Sequence, residues 1–190
     1  MFKVEQKYLS PVAGVDEAGR GPLVGPVVAA AVIIDQTKII EGIKDSKKLN
    51  KKTRELLYDK ITQHYIWSIG IVHQDEIDAI NILEATKKAC IIAVANLPAT
   101  PATVLIDGNM KFEDLRFISI INGDNLSLSI SAASIVAKVT RDRLMYEYSK
   151  EFPHYMWHKN SGYGTKEHLE AIKLYGISPY HRHSFKVKIL

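Results

Sequence analysis

Gly14-Val15-Asp16-Glu17-Ala18-Gly19-Arg20-Gly21-Pro22 is the stretch on which the reading of this chain turns. Two adjacent carboxylates follow the apolar segment Val12 to Val15, which reads as a strand buried on both faces. Neighbouring side chains of an extended chain point to opposite faces, so Asp16 and Glu17 both reach solvent only if the strand ends there. The glycines that follow let the backbone come close to a ligand, and Arg20 supplies a planar fork suited to phosphate. Read in isolation, the same residues also suit a polar turn carrying a charged surface pair.

Val24 to Ile34 reads as a second buried strand across a Gly-rich bend. It is too short for a bilayer, which needs about 20 apolar residues. Asn50 can cap a helix whose apolar face uses Leu56, Leu57 and Ile61. Tyr65 to Val72 alternates as a third strand. Asp75 to Asn81 and Leu83 to Leu97, closed by Pro98, read as helices. Thr103 to Ile106 and Leu115 to Ile121 read as short strands. Ser127 to Tyr148 is the longest helix, with Ala132, Ile135, Val136 and Val139 on one side. Ser134, Lys138, Arg141 and Met145 line the other side. Lys166 to Tyr175 is a last amphipathic helix, with Gly176 as its C-cap. The pattern implies one α/β domain over residues 1–190 with a mixed sheet.

Asp107 ends the strand at Ile106, and Asp124 stands in a Gly turn after the strand at Ile121. Carboxylates at the ends of several strands converge on one edge of a sheet, and such a pocket cannot hold its charge alone. Divalent cations resolve this, and an all-oxygen set selects Mg²⁺ or Mn²⁺ over zinc. His154 and His158 are four apart, but Pro153 and Trp157 point to a loop or helix start rather than a zinc site. His181 and His183 read as structural groups or as substrate contacts near the C-terminus.

The chain has 190 residues and a formal net charge of +4, with lysines and arginines gathered at Lys44 to Arg54, Lys138 to Arg143, Lys186 and Lys188. These clusters suit solvated helix faces or a nucleic-acid partner. A lone cysteine, Cys90, excludes an intrachain disulfide, a zinc ribbon and a redox CxxC pair. No targeting segment is visible, so the expected location is the cytoplasm.

Six segments in order resemble the bacterial ribonuclease HII family, of the type 2 RNase H class. They are Gly14 to Ile33, Asp45-Ser46-Lys47-Lys48-Leu49, Ile106-Asp107-Gly108-Asn109 with Gly123-Asp124, Ser131 to Asp142, Ser161-Gly162-Tyr163-Gly164-Thr165, and His181-Arg182-His183-Ser184-Phe185. The resemblance implies an RNase H-like mixed sheet flanked by helices, with a helical C-terminal part over about 150–190. It implies an endonuclease that hydrolyses the RNA strand of RNA–DNA hybrids. Such an enzyme also cuts 5′ of ribonucleotides embedded in duplex DNA, leaving a 5′-phosphate and a 3′-hydroxyl. The family's metal-binding, catalytic carboxylates fall on Asp16, Glu17, Asp107 and Asp124, with Asp16 bridging two ions. Its ribose-reading motif falls on Gly19, Arg20 and Gly21, and its junction tyrosine on Tyr163. Lys47, Lys138 and Arg141 are expected to meet substrate phosphate.

Asp142 shares a motif with Lys138, where a Lys–Asp pair one turn apart is role enough. Asp124 is therefore the expected fourth ligand. The sister family, ribonuclease HIII, carries an extra N-terminal domain and a different residue where Arg20 stands. Another nuclease of the same fold, or a non-catalytic nucleic-acid-binding protein, are the remaining alternatives. A sliding-clamp partner accords with the resemblance, although the tail Lys186 to Leu190 holds no clear docking motif.

Overall fold

The computed structural model describes residues 4–44 and 46–186, so Asp45 and the tail from 187 onward, Lys188 included, lie outside the described residues. A five-stranded sheet runs in the order β3-β2-β1-β4-β5. Its strands are β1 (Val12–Ala18), β2 (Val27–Ile33), β3 (Ile66–Val72), β4 (Thr103–Asp107) and β5 (Phe117–Ile120). β1, β2 and β3 pair antiparallel, while β1, β4 and β5 pair parallel, so the sheet is mixed as expected. β1 does not stop at Val15. It continues through the acid pair, with Asp16 opposite Ala30 and Glu17 opposite Ala29.

Helices cover both faces of the sheet, which is why β2 reads as the unbroken apolar run Val-Val-Ala-Ala-Ala-Val-Ile. On one face, Ala85, Ala89, Cys90 and Ala93 of α3 (Ile82–Ala95) pack on Val15, Val27, Ala29 and Ala31. On the other, α1 (Lys51–His64) and α5 (Leu128–Glu151) pack Leu57, Ile61, Ala132, Ala133 and Val136 against Ala30 and Val32. The short helices α2 (Gln74–Ile80) and α4 (Gly123–Leu126) lie before α3 and α5 in the chain. Beyond α5, the helices α6 (Trp157–Asn160) and α7 (Lys166–Tyr175) build a separate aromatic cluster. Tyr155, Trp157, Ala171 and Ile172 close there over Val24 and Met145. Among the described residues no helix is long and apolar enough to cross a membrane.

Local signals act where they were expected. The Asn50 side chain accepts from Thr53 N–H, and Gly176 follows α7 at φ +79°. Three expectations fail for tertiary reasons. Leu56 is 56% exposed, because α1 turns only Leu57 and Ile61 inward. β5 keeps only Phe117–Ile120, leaving Leu115 and Ile121 exposed. The polar flank of α5 is also covered, with Ser134, Arg141 and Met145 all buried.

Helix and sheet touch backbone to backbone at two glycines. A Cβ on Gly70 would stand 2.0 Å from the Ala89 carbonyl oxygen, and one on Gly14 would stand 2.1 Å from the Ser129 carbonyl carbon. Gly70→Ala must push α3 off the sheet. It is expected to cost roughly 1–3 kcal/mol, read as a lower denaturant midpoint at unchanged slope. An unshifted midpoint would show that α3 yields without loss.

Candidate active site

Pleating sends the two acids of β1 to opposite faces. Asp16 turns toward α5, where the Ser134 hydroxyl hydrogen-bonds it, and Ser134 Oγ lies 2.8 Å from Ser46 Oγ. Glu17 turns to the other face and meets Arg20, whose Nη1 donates to its Oε1 at 3.4 Å. Asp107 ends β4, the parallel neighbour of β1, and follows Ile106, which pairs with Val15. Asn122 adopts a left-handed conformation at φ 56° and starts α4. That turn brings the Asp124 N–H to 3.3 Å from Asp107 Oδ1. Asn125 Nδ2 donates to Asp124 Oδ1 at 2.7 Å, and Lys47 Nζ stands 4.0 Å from Asp124 Oδ2. Asp16, Glu17, Asp107 and Asp124 thus share one edge of the sheet. Asp142 lies apart, held by Lys138 Nζ at 2.7 Å, Ser161 Oγ at 3.1 Å and Arg54 at 3.7 Å.

Burial and mutual repulsion show in the acids' proton affinities. Asp16 is pushed well above the usual carboxylate range, first by burial and then by the charges of Glu17 and Asp107. Burial also raises Glu17, against the opposing pull of Arg20. Among the described residues no three such groups already close around one point tightly enough to hold an ion. The donor set nevertheless fits a hard divalent cation. It is all oxygen, its charges repel one another, and the buried Glu17 Oε2 has no hydrogen-bond partner.

The loop after β1 forms the other half of the site. Gly19 has φ +102°, and a Cβ there would stand 2.2 Å from Arg141 Nε, so only glycine fits. A Cβ on Gly21 would lie 3.5 Å from Cε1 of Tyr163, placing that half-exposed ring beside the loop. Tyr163 is held through its backbone. The indole N–H of Trp157, which can only donate, reaches His168 Nε2 at 3.1 Å. His168 Nδ1–H therefore donates to the Tyr163 carbonyl at 2.8 Å, and burial lowers the pKa of His168, favouring this neutral form.

Lys47 stands at the mouth of the acidic edge, on the 3₁₀ turn Ser46–Lys48. Lys138 is partly exposed in a cleft of about 600 Å³ that it shares with Arg54, His158 and Lys159. Arg141 does not belong with them. It is buried, and its guanidinium donates to the carbonyls of Val24, Pro26 and Ser161, so it is corrected from a phosphate contact to a clamp on the loop. Arg182, which no local sequence signal singles out, lies in the segment His181 to Phe185 and donates to the carbonyls of Gly19, Arg20, Pro22 and Gly25. His154 packs on Tyr155 and Tyr175, and the buried His181 accepts from Ser178 N–H at 2.8 Å.

A mixed sheet with helices on both faces, and carboxylates gathered at one edge beside a glycine loop, is the architecture of an RNase H-type endonuclease. Residues 13–188 match the family profile of ribonuclease HII. The ribonuclease HII of Rickettsia bellii (strain OSU 85-389) is 73% identical over 182 residues, covering 95% of this chain and 93% of that protein. The ribonuclease H2 of Pyrococcus horikoshii OT3 superposes with a TM-score of 0.76 at 31% identity, covering 92% and 93% of the two chains. The Archaeoglobus fulgidus ribonuclease HII, solved in complex with PCNA, gives 0.79 at 27%, covering 93% and 96%. The chain belongs to the ribonuclease HII family and is an RNase H endonuclease.

The raised carboxylates make a stability prediction. A carboxyl group whose folded pKa is raised favours folding while protonated, and that contribution is lost as pH climbs through the folded value. At neutral pH, above the ordinary carboxylate range, the raised proton affinity of Asp16 therefore opposes folding. Asp16→Asn in chelator is expected to raise the unfolding temperature at pH 7, by about 2–4 °C per kcal/mol relieved. The gain should shrink as pH falls through the carboxylate range, where the wild-type group is protonated too. A gain that did not change with pH would mean that charge is not its source.

Proposed function

We propose that this endonuclease hydrolyses the RNA strand of RNA–DNA hybrids and cuts 5′ of single ribonucleotides in duplex DNA. The products are a 5′-phosphate and a 3′-hydroxyl. The observation that carries this reading is the placement of the Tyr163 ring beside Gly21, where an added Cβ would lie 3.5 Å from it, on the loop that continues β1 past Asp16 and Glu17. A group that reads a sugar thus sits next to groups that suit phosphate hydrolysis.

Asp16, Glu17, Asp107 and Asp124 would hold Mg²⁺ or Mn²⁺ as a two-ion site. Such ions, when bound, neutralise charge on the phosphate, lower the pKa of the attacking water and stabilise the leaving 3′ oxygen. Around them the chain's own residues do the positioning. Ser134 and the Glu17 N–H hold the Asp16 carboxylate, the latter at 2.7 Å, and the Asp124 N–H orients Asp107. Backbone N–H groups of Gly19, Arg20 and Gly21 face the ribose 2′-hydroxyl, which both donates and accepts hydrogen bonds. The Tyr163 ring packs on the neighbouring sugar. Lys47 and Lys138 contact backbone phosphates.

Cleavage of a DNA duplex carrying one ribonucleotide tests the whole reading. Activity is expected with Mg²⁺ or Mn²⁺ and none in chelator. Asp16→Asn, Asp107→Asn and Asp124→Asn should each nearly abolish it. Full activity in chelator would sink the metal reading, and full activity of Asp124→Asn would remove that residue from the ligand set. Tyr163→Phe should slow cleavage only several-fold, the loss of one neutral hydrogen bond worth about 0.5–1.5 kcal/mol. Tyr163→Ala should cost more.

Binding should weaken with added salt by roughly 0.9 in log–log slope per phosphate contact on B-form duplex. Lys47→Ala and Lys138→Ala are each expected to lower that slope by about 1. An unchanged slope for both would return these lysines to the solvated surface.

A further inference from the structure

Arg182 comes from the far end of the chain and reaches back into the loop after β1. Its Nε donates to the Gly25 carbonyl at 2.9 Å, Nη1 to those of Arg20 at 3.1 Å and Pro22 at 2.9 Å, and Nη2 to that of Gly19 at 2.6 Å. Arg182 is 2% exposed, and its guanidinium carbon lies 4.9 Å from the centre of the Phe185 ring. No carboxylate is bonded to it among the described residues; its fork is filled by backbone oxygens. A surface loop rarely turns so many carbonyls inward, since each gives up water to do so.

The consequence follows from peptide geometry. In a trans peptide the C=O of one residue and the N–H of the next point in opposite directions. The Gly19 carbonyl is held inward on Arg182, so the Arg20 N–H points outward. The Arg20 carbonyl is held the same way, so the Gly21 N–H points outward as well. The Pro22 carbonyl sends the Leu23 N–H to the Gly162 carbonyl at 2.9 Å, tying the loop to the segment that carries Tyr163. Arg141 fixes the far side of the loop through the carbonyls of Val24 and Pro26.

We infer that Arg182 is a positioning residue for ribose recognition, holding the Arg20 and Gly21 amides outward, side by side with the Tyr163 ring, to meet a 2′-hydroxyl. This rests on the proposed ribonucleotide reading of the same site. Arg182 itself touches no substrate. A lysine keeps the charge but lacks the planar fork, so it cannot hold carbonyls on three nitrogens at once.

The test compares wild type with Arg182→Lys on two duplexes of one sequence. The first contains a single ribonucleotide and is cleaved, giving KM. The second is all DNA and serves as a competitive inhibitor, giving Ki. Arg182→Lys is expected to raise KM about tenfold, the upper end of the effect of one lost amide–hydroxyl hydrogen bond, and to leave Ki unchanged. A merely structural role would lower the active fraction, and with it the apparent kcat, or would move KM and Ki together; either result overturns the inference. Thermal unfolding reports whether the variant is folded. A wild type that cleaves neither duplex would fail the underlying reading instead.

Should Arg182→Lys not fold, wild type in chelator at saturating duplex decides. The Arg182 guanidinium resonances should shift together with the Arg20 and Gly21 amides, and further with the ribonucleotide duplex than with the all-DNA duplex. Amides that shift beside an unmoved guanidinium would overturn the proposal, and amides that respond equally to both duplexes would fail the underlying reading instead.

Discussion

The contact on which the structure depends is the one between α5 and β1 at Gly14, where no side chain separates helix from strand. Because the two backbones meet there, a single long helix can reach Asp16, the Asp124 turn, the loop after β1 and the C-terminal part. Ser131 Oγ donates to the Asp124 carbonyl at 2.7 Å, anchoring the turn that presents the carboxylate. One turn further, Ser134 reaches Asp16. Lys138 follows on the cleft side, Arg141 clamps the loop after β1, and Met145 enters the aromatic cluster of the C-terminal helices. The buried Glu5 fixes the start of this ruler, accepting from Ser129 N–H at 2.9 Å and from the Ser127 hydroxyl at 2.6 Å. A carboxylate suits that position, at the positive end of the helix dipole.

Buried acids and buried bases lie on either side of one loop without neutralising each other. Arg141 and Arg182 are solvated by seven main-chain carbonyls between them rather than by the nearby carboxylates. Burial lowers their pKa values to about 10 and about 9, so both remain charged at neutral pH. The arrangement separates two tasks. Were either guanidinium paired with Asp16 or Asp107, the acidic edge would lose the unbalanced charge that suits it to cations. Turning the guanidinium bonds onto the loop instead leaves Asp16 and Asp107 without a buried guanidinium beside them and makes the recognition segment rigid.

The acids were legible in the sequence because pleating and strand ends are local properties. Asp107 closes an apolar run and Asp124 follows a Gly turn, and both land where a sheet edge gathers its strand ends. The extent of β1 was not legible, since continuing through Asp16 and Glu17 requires Ala30 and Ala29 as partners on β2. Arg141 was misread for a related reason. Its helical spacing with Lys138 implied a common solvated face, yet the loop at Val24 and Pro26 folds back over that face. The partners of Arg182 lie about 160 residues earlier in the chain, beyond any window of local pattern.

These long-range partners also determine what must form before the site can read a sugar. The carboxylate edge needs β1, β2, β4, α4 and the first half of α5. The recognition side needs more, because its loop is held by Arg182 and its tyrosine by His168 and Trp157. All three belong to the C-terminal helical part, whose aromatic core includes Val24 of that same loop. Loop and C-terminal part therefore stabilise one another, and neither has its observed form without the other. Loosening of the C-terminal part would leave the acids in place but let the Gly19, Arg20, Pro22 and Gly25 carbonyls turn back to water. Capacity for hydrolysis and selectivity for a ribose thus rest on different contacts, joined through α5.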